Sequence, residues 1–220
     1  MGLRVVAVLQ GLSEGGAVAS CCLNQLIALA TEHHCRLISD GLPAAALPQA
    51  LSLECLRVPR LRWLRRYAHV PRQILFIAMA GVTLCVQRPR RHVDLVLFHS
   101  HPPTALLAPL LRRVLGCRVV MVMHGDIFDR PRGTYDPRLT WWYRVCTSAA
   151  YRRADAVLAL SPYMASLAVQ RGARPERLHL VPNGVDAEEI GLQHPWPLPQ
   201  GQELLFVGRL EHNKGLDLLL

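Results

Sequence analysis

Lysine is nearly missing from this chain: of 25 Lys+Arg residues, only Lys214 is a lysine. Aromatic residues are scarce at 6%, and the RNA-binding and zinc-finger signatures are absent. No nucleic-acid partner is therefore expected, although the formal net charge is +9 and the pI about 9.7. That charge leaves a membrane surface or a phosphorylated substrate as anionic partner, with arginine-rich coding as the plain alternative. The seven cysteines, at positions 21, 22, 35, 55, 85, 117 and 146, are odd in number and show no C-x-x-C spacing. Most lie in apolar runs and read as small buried hydrophobes of a reducing compartment. Leu3 to Leu9 is strand-like and lacks a signal-peptide cleavage pattern, so a cytoplasmic protein is expected. Gly-x-Gly-x-x-Gly is missing, which argues against a nicotinamide enzyme, and no Gly-x-x-x-x-Gly-Lys-Ser/Thr loop is present.

What is present suits a large core: 220 residues, 51% of them hydrophobic. Apolar runs at Arg4 to Leu9, Cys35 to Ser39, Leu51 to Val58, Asp94 to His99, Arg118 to Met123, Asp155 to Ser161 and Arg177 to Asn183 read as strands. Helical patterns separate most of them: Gly16 to about Ala30, Ile74 to Val86, Thr104 to Leu115, Leu139 to Arg153, and a helix started by Pro162 and ended by Gly172. Seven βα-type units predict an α/β fold with a doubly wound parallel sheet. Gly125 to Arg138 reads as a loop, and the Pro- and Gly-rich stretch from Gly191 to Gly201 as a linker.

Leu61 to Val70 has Leu61, Trp63, Leu64, Tyr67, Ala68 and Val70 on one half of a helical wheel and Arg62, Arg65, Arg66 and His69 on the other. Two readings stay open: its apolar half packs on the domain's own sheet, or it lies in an anionic membrane interface. Ile74 to Val86 is 13 residues, too short to span about 30 Å of hydrocarbon, and reads as a core or interfacial helix. Arg88, Arg90 and Arg91 extend the basic patch.

Residues at the carboxyl end of parallel strands face the ligand crevice, which singles out His99 and His124. His124 precedes Gly125, a glycine that lets substrate approach; a structural or acceptor-positioning role suits His99. His99 and His101 lack a nearby carboxylate or third histidine to complete a metal set. Gly15 and Gly16 open the first helix and leave its N–H groups accessible to a phosphate. Asp126 and Asp129 are solvated loop carboxylates or hydroxyl binders. At the end of the chain, Leu204 to Val207 reads as a buried strand, Gly208 as a turn and Gly215 to Leu220 as a helix start. Arg209 and Lys214 flank that turn and suit a diphosphate.

Gly208-Arg209…Lys214-Gly215, preceded by Val181-Pro182-Asn183-Gly184-Val185-Asp186, resembles the central signature of the retaining glycosyltransferase family 4, which has the two-domain GT-B fold. The resemblance implies a Rossmann-like acceptor-side domain over residues 1–190, a linker over 191–202, and over 203–220 the first strand and helix start of a nucleotide-sugar-binding domain. It implies a fragment or truncated reading frame. The expected reaction moves a sugar from a nucleotide diphosphate sugar to a glycan or lipid-linked acceptor, without a metal or other cofactor. Arg209, Lys214, Gly15 and Gly16 are implied as diphosphate-binding, and His124 as the residue that contacts the transferred sugar. His99 matches the histidine that closes the corresponding family strand; Asn183 contacts donor or stabilises its turn. The family's paired glutamates belong to its C-terminal domain, of which the resemblance covers only the first 17 or so residues, so this chain by itself is expected to be inactive. A GT-B sugar-nucleotide epimerase and a non-catalytic membrane- or partner-binding remnant are the alternatives.

Overall fold

The computed structural model describes residues 2–10, 12, 16–42, 47, 49, 51–58, 69–87, 92–99, 107–125, 137–184, 205–208, 210 and 215–219. Seven strands, β1 (Arg4–Leu9), β2 (His34–Ser39), β3 (Leu51–Cys55), β4 (Leu95–His99), β5 (Arg118–Met123), β6 (Ala156–Ala159) and β7 (Leu178–Leu180), form one sheet in the order β3-β2-β1-β4-β5-β6-β7. Every pairing is parallel. The predicted doubly wound Rossmann-like sheet is thus present with all seven strands.

Burial explains why these runs are strands. In β1, β2 and β5 the first residue is exposed and the next five are buried, as a strand covered on both faces requires. Side chains alternate between two cores. Val6, Val8, Ile38, Val96 and Phe98 point to one, against α2 (His69–Gln87), α3 (Ala108–Leu115), α4 (Pro137–Arg153) and α5 (Pro162–Gln170). Val5, Ala7, Leu9, Leu37 and Leu97 point to the other, against α1 (Ala17–Leu29).

Polar contacts tie the amino edge. Asp94 Oδ2 accepts from the Arg4 amide at 2.7 Å, and Asp155 Oδ2 accepts from the Val119 amide at 2.8 Å and from Arg112 Nε at 2.9 Å. α5 begins as expected, with Pro162 at its first position and Ser161 Oγ accepting from the Met164 amide at 3.2 Å. α4 begins at Pro137, two residues before the expected start, because a proline with no N–H and a fixed φ opens a helix rather than belonging to the loop before it.

One expected strand is corrected. Residues 205–207 pair with no strand, and Leu205 and Val207 are 89% and 84% exposed. Apolar sequence alone does not make a strand: its amides and carbonyls need a neighbour, which the described residues do not supply. The helix start is present as α6 (Leu216–Leu219), after Gly215 at φ 70°. Cys22, Cys35, Cys117 and Cys146 are buried as expected, but Cys55 is exposed; all seven thiols are free. The expected linker at 191–202 lies outside the described residues, as do 61–68 of the basic amphipathic stretch; His69 and Val70 open α2.

Candidate functional site

The strand order reverses direction at β1, between β2 and β4. Connections leave that point to both sides of the sheet and open a crevice at the carboxyl ends of the strands. α1 starts there. Gly16 caps it at φ 91°, ψ 175°, a region that only glycine occupies comfortably, and among the described residues no side-chain cap bonds its first turn. A Cβ built on Gly16 would meet nothing within 4 Å, so the backbone conformation alone demands glycine. Such an end offers N–H donors and the positive pole of the helix to an anion.

β4 and β5 each end in a histidine at this edge, directly or one residue on, and the structure brings the two together. His99 Nδ1 lies 2.8 Å from His124 Nε2, with ring centroids 5.1 Å apart and ring planes inclined by 22°. His99 is fully buried; His124 is half-buried. One facing nitrogen donates and the other accepts, so the contact requires at least one neutral ring. Burial pushes the His124 imidazole down to about 4 from its usual 6.5. At neutral pH it is therefore an uncharged ring, held by a buried neighbour, that can orient a hydroxyl without placing a positive charge in the crevice.

Two further contacts frame the site, and the sequence reading missed both. Asp40, just past β2, accepts from Arg72 Nη2 of α2 at 3.0 Å, with its carboxylate nearly buried. Tyr143 of α4 donates its hydroxyl to Gln73 Oε1 of α2 at 2.7 Å. Together they fasten the first turns of α2 to the sheet's carboxyl edge and to α4. No periodicity or motif links positions 40 to 72 or 73 to 143; only the tertiary fold does.

The remaining expected residues are distributed as follows. Asn183 is exposed beyond β7, two strands removed from β5, and is not brought to the histidine pair. Gly15, Asp126, Arg209 and Lys214 lie outside the described residues, as do His101 and Asp129. Among the described residues no group of three His, Cys, Asp or Glu side chains converges on a common point, and no helix is long and apolar enough to cross a membrane.

The sequence model of Glycosyltransferase Family 4 matches residues 16–189. None of the curated proteins compared matches the chain. Among solved structures, HepE of Anabaena in complex with UDP is similar with TM-score 0.56 and 16% identity, over 84% of this chain and 45% of that one. A sucrose-phosphate synthase from Thermosynechococcus elongatus is similar with TM-score 0.64 and 11% identity, over 84% of this chain and 49% of that one. A UDP-N-acetylglucosamine 2-epimerase is similar with TM-score 0.54 and 15% identity, over 90% of this chain and 53% of that one. The chain thus spans about half the length of these structures, and at such identities the likeness is one of fold.

Proposed function

The chain belongs to glycosyltransferase family 4, and on that premise we propose that it supplies the acceptor-side half of a retaining transferase, one that moves a sugar from a nucleotide diphosphate sugar to a hydroxyl of a glycan or lipid-linked acceptor. The observation that carries the reading is the neutral, half-buried His124, braced by His99 at the carboxyl edge of the sheet, the edge from which the glycine-capped α1 starts. HepE has been solved with UDP-glucose, which supports a nucleotide-sugar donor for a protein of this fold.

In this reading the chain's residues orient and stabilise more than they exchange protons. His124 holds the sugar against the acceptor, converting an encounter into a fixed geometry. As the bond to the leaving diphosphate breaks, negative charge builds on its oxygens. The amides of α1 behind Gly16 lie at the crevice to meet it, and Arg209 and Lys214 are assigned the same task by their place in the family signature. Cations and helix amides that stabilise the leaving group require no metal for this step.

The test is a transfer assay on any longer reading frame that contains these 220 residues, with the 220 residues alone, expected to be inactive, run beside it. His124→Ala is expected to lower kcat by about 10²–10³-fold, and Arg209→Ala or Lys214→Ala to lower kcat/KM by a similar factor. Retention is checked by the anomeric signal of the product. A sugar-nucleotide epimerase is the second reading, favoured by the structural likeness to such an enzyme. Acceptor-independent conversion of the donor to its epimer, with no sugar transferred, would replace the transferase reading with that one.

A further inference from the structure

The amino edge of the sheet, opposite the crevice, holds a cavity of about 210 Å³. The described residues that line it include Arg4, His34, Arg36, Ser52 and His92, and no carboxylate. The strand register explains why these side chains meet. Arg4 of β1 pairs with His34 of β2, Val6 with Arg36, and Arg36 with Ser52 of β3. Register partners share a face of the sheet, as do residues two apart on one strand. Arg4, His34, Arg36 and Ser52 therefore stand on one face, across three adjacent strands.

Arg36 is unusual in its burial. It is 7% exposed, inside the buried run Cys35 to Ser39 and beside Val6 of the core. A buried charge is costly unless it is held. Arg36 Nη1 bonds Gln87 Oε1 at the end of α2 and lies 3.5 Å from Glu54 Oε2, and Gln87 Nε2 donates to Glu54 Oε1 at 2.9 Å. On the other flank, His92 Nε2 lies 3.0 Å from Asp94 Oδ1. Glu54 and Asp94 thus hold basic groups without themselves lining the cavity. Arg4 and His34 form no ion pair among the described residues. Basic groups set side by side on neighbouring strands oppose one another, and an anion between them removes the conflict. The chain leading into His92 has the same sign. Residues 55–93 contain nine arginines and no Asp or Glu, so the excess positive charge lies on α2 and the chain on either side of it. Arg88, Arg90 and Arg91 enter this argument by sequence position only.

We propose that the amino-edge cavity is an anion site for a phosphate group, carried either by the free ion or by a small phosphorylated molecule. The Arg4 guanidinium, the His34 ring and the Ser52 hydroxyl supply donors that suit a tetrahedral oxyanion, and Arg36 adds a positive charge that its partners keep from swinging away. Size limits the ligand. About 210 Å³ falls short of the roughly 300–1,000 Å³ of clefts that enclose drug-sized molecules, so the cavity is too small to enclose a nucleotide sugar. The site is separate from the crevice, with the length of β1 between them. Because Gln87 ends α2, an anion that steadies Arg36 also steadies the helix whose first turns Arg72 and Gln73 fasten at the carboxyl edge.

The experiment is titration of the full 220-residue chain with inorganic phosphate and, separately, with glycerol 3-phosphate, at an ionic strength held constant with sodium chloride. Amide chemical shifts and the thermal midpoint are followed. No nucleotide sugar is present, so the result is independent of the transferase reading. Saturable shifts are expected at the amides of Arg4, His34, Arg36 and Ser52, together with a higher midpoint than in chloride. The double variant Arg4→Gln, His34→Gln, at two exposed positions, is expected to stay folded by circular dichroism and to bind about tenfold more weakly. Tighter binding of glycerol 3-phosphate would assign the site to a phosphorylated small molecule, and equal or tighter binding of the inorganic ion to free phosphate. Shifts confined to the amides of α1 behind Gly16 would put the anion in the crevice and overturn the proposal. So would binding indifferent to the double variant, or shifts that chloride reproduces in full.

Discussion

At the scale of single residues, the histidine pair makes the sharpest statements. The unfolded chain binds a proton at position 124 below about pH 6.5, whereas in the fold burial holds that ring neutral down to about 4. Between those values the unfolded state carries more protons, so stability present above pH 6.5 is lost as the pH falls towards 4. The ring is half-open to solvent, and the loss is accordingly set at on the order of 1–2 kcal/mol. Urea denaturation at pH 7 and pH 4.5 should therefore show a smaller drop for His124→Asn than for the parent. His99 is a different case. It is fully buried, so His99→Ala removes a hydrogen bond and leaves a hole, and a loss of about 2–4 kcal/mol is expected in the same denaturation experiment.

At the scale of elements, the ends of helices are where small changes read out. Ser161 supplies the one side-chain cap seen at a helix start among the described residues, and Ser161→Ala is expected to lower stability by about 1 kcal/mol. Gly172 ends the turn after α5 at φ 98° with its missing Cβ 3.2 Å from Arg152 Cγ. Gly172→Ala should cost about 1–2 kcal/mol, more than an exposed glycine in ordinary backbone would, as judged by the shift of the thermal midpoint. The same elements show what the sequence made legible. β1 and β5 are continuous apolar runs bounded by polar residues, as strands covered on both faces require. His99 and His124 stand out because each closes such a run. Their contact was not legible, since it depends on β4 and β5 being neighbours in the sheet. Residues 205–207 are as apolar as the interior of β1 and are not a strand: periodicity reports what a segment can bury, not whether a neighbour is there to bury it.

At the scale of the whole molecule, charge is unevenly divided. The excess of arginine on the α2 side repels itself in the folded state more than in the expanded one. Raising the salt from about 0.05 M to 0.5 M shortens the reach of that repulsion from over 10 Å to a few ångströms. The thermal midpoint of the chain should rise by a few degrees across that range. If most of the arginines were paired with carboxylates, added salt would instead lower it or leave it unchanged.

β1 occupies the centre of the sheet, yet it precedes the six other strands along the chain. It pairs with β2 on one side and with β4 on the other, and its Arg4 amide reaches Asp94, ninety residues along the chain. During translation, the Val5-Val6-Ala7-Val8-Leu9 strand must therefore wait with one side open until β4 has left the ribosome, several seconds later at ordinary elongation rates. An apolar strand with a free edge is the form most prone to wrong pairing, and closure over so long a loop is slow. The nascent chain thus needs shelter at β1, where the finished protein is most protected.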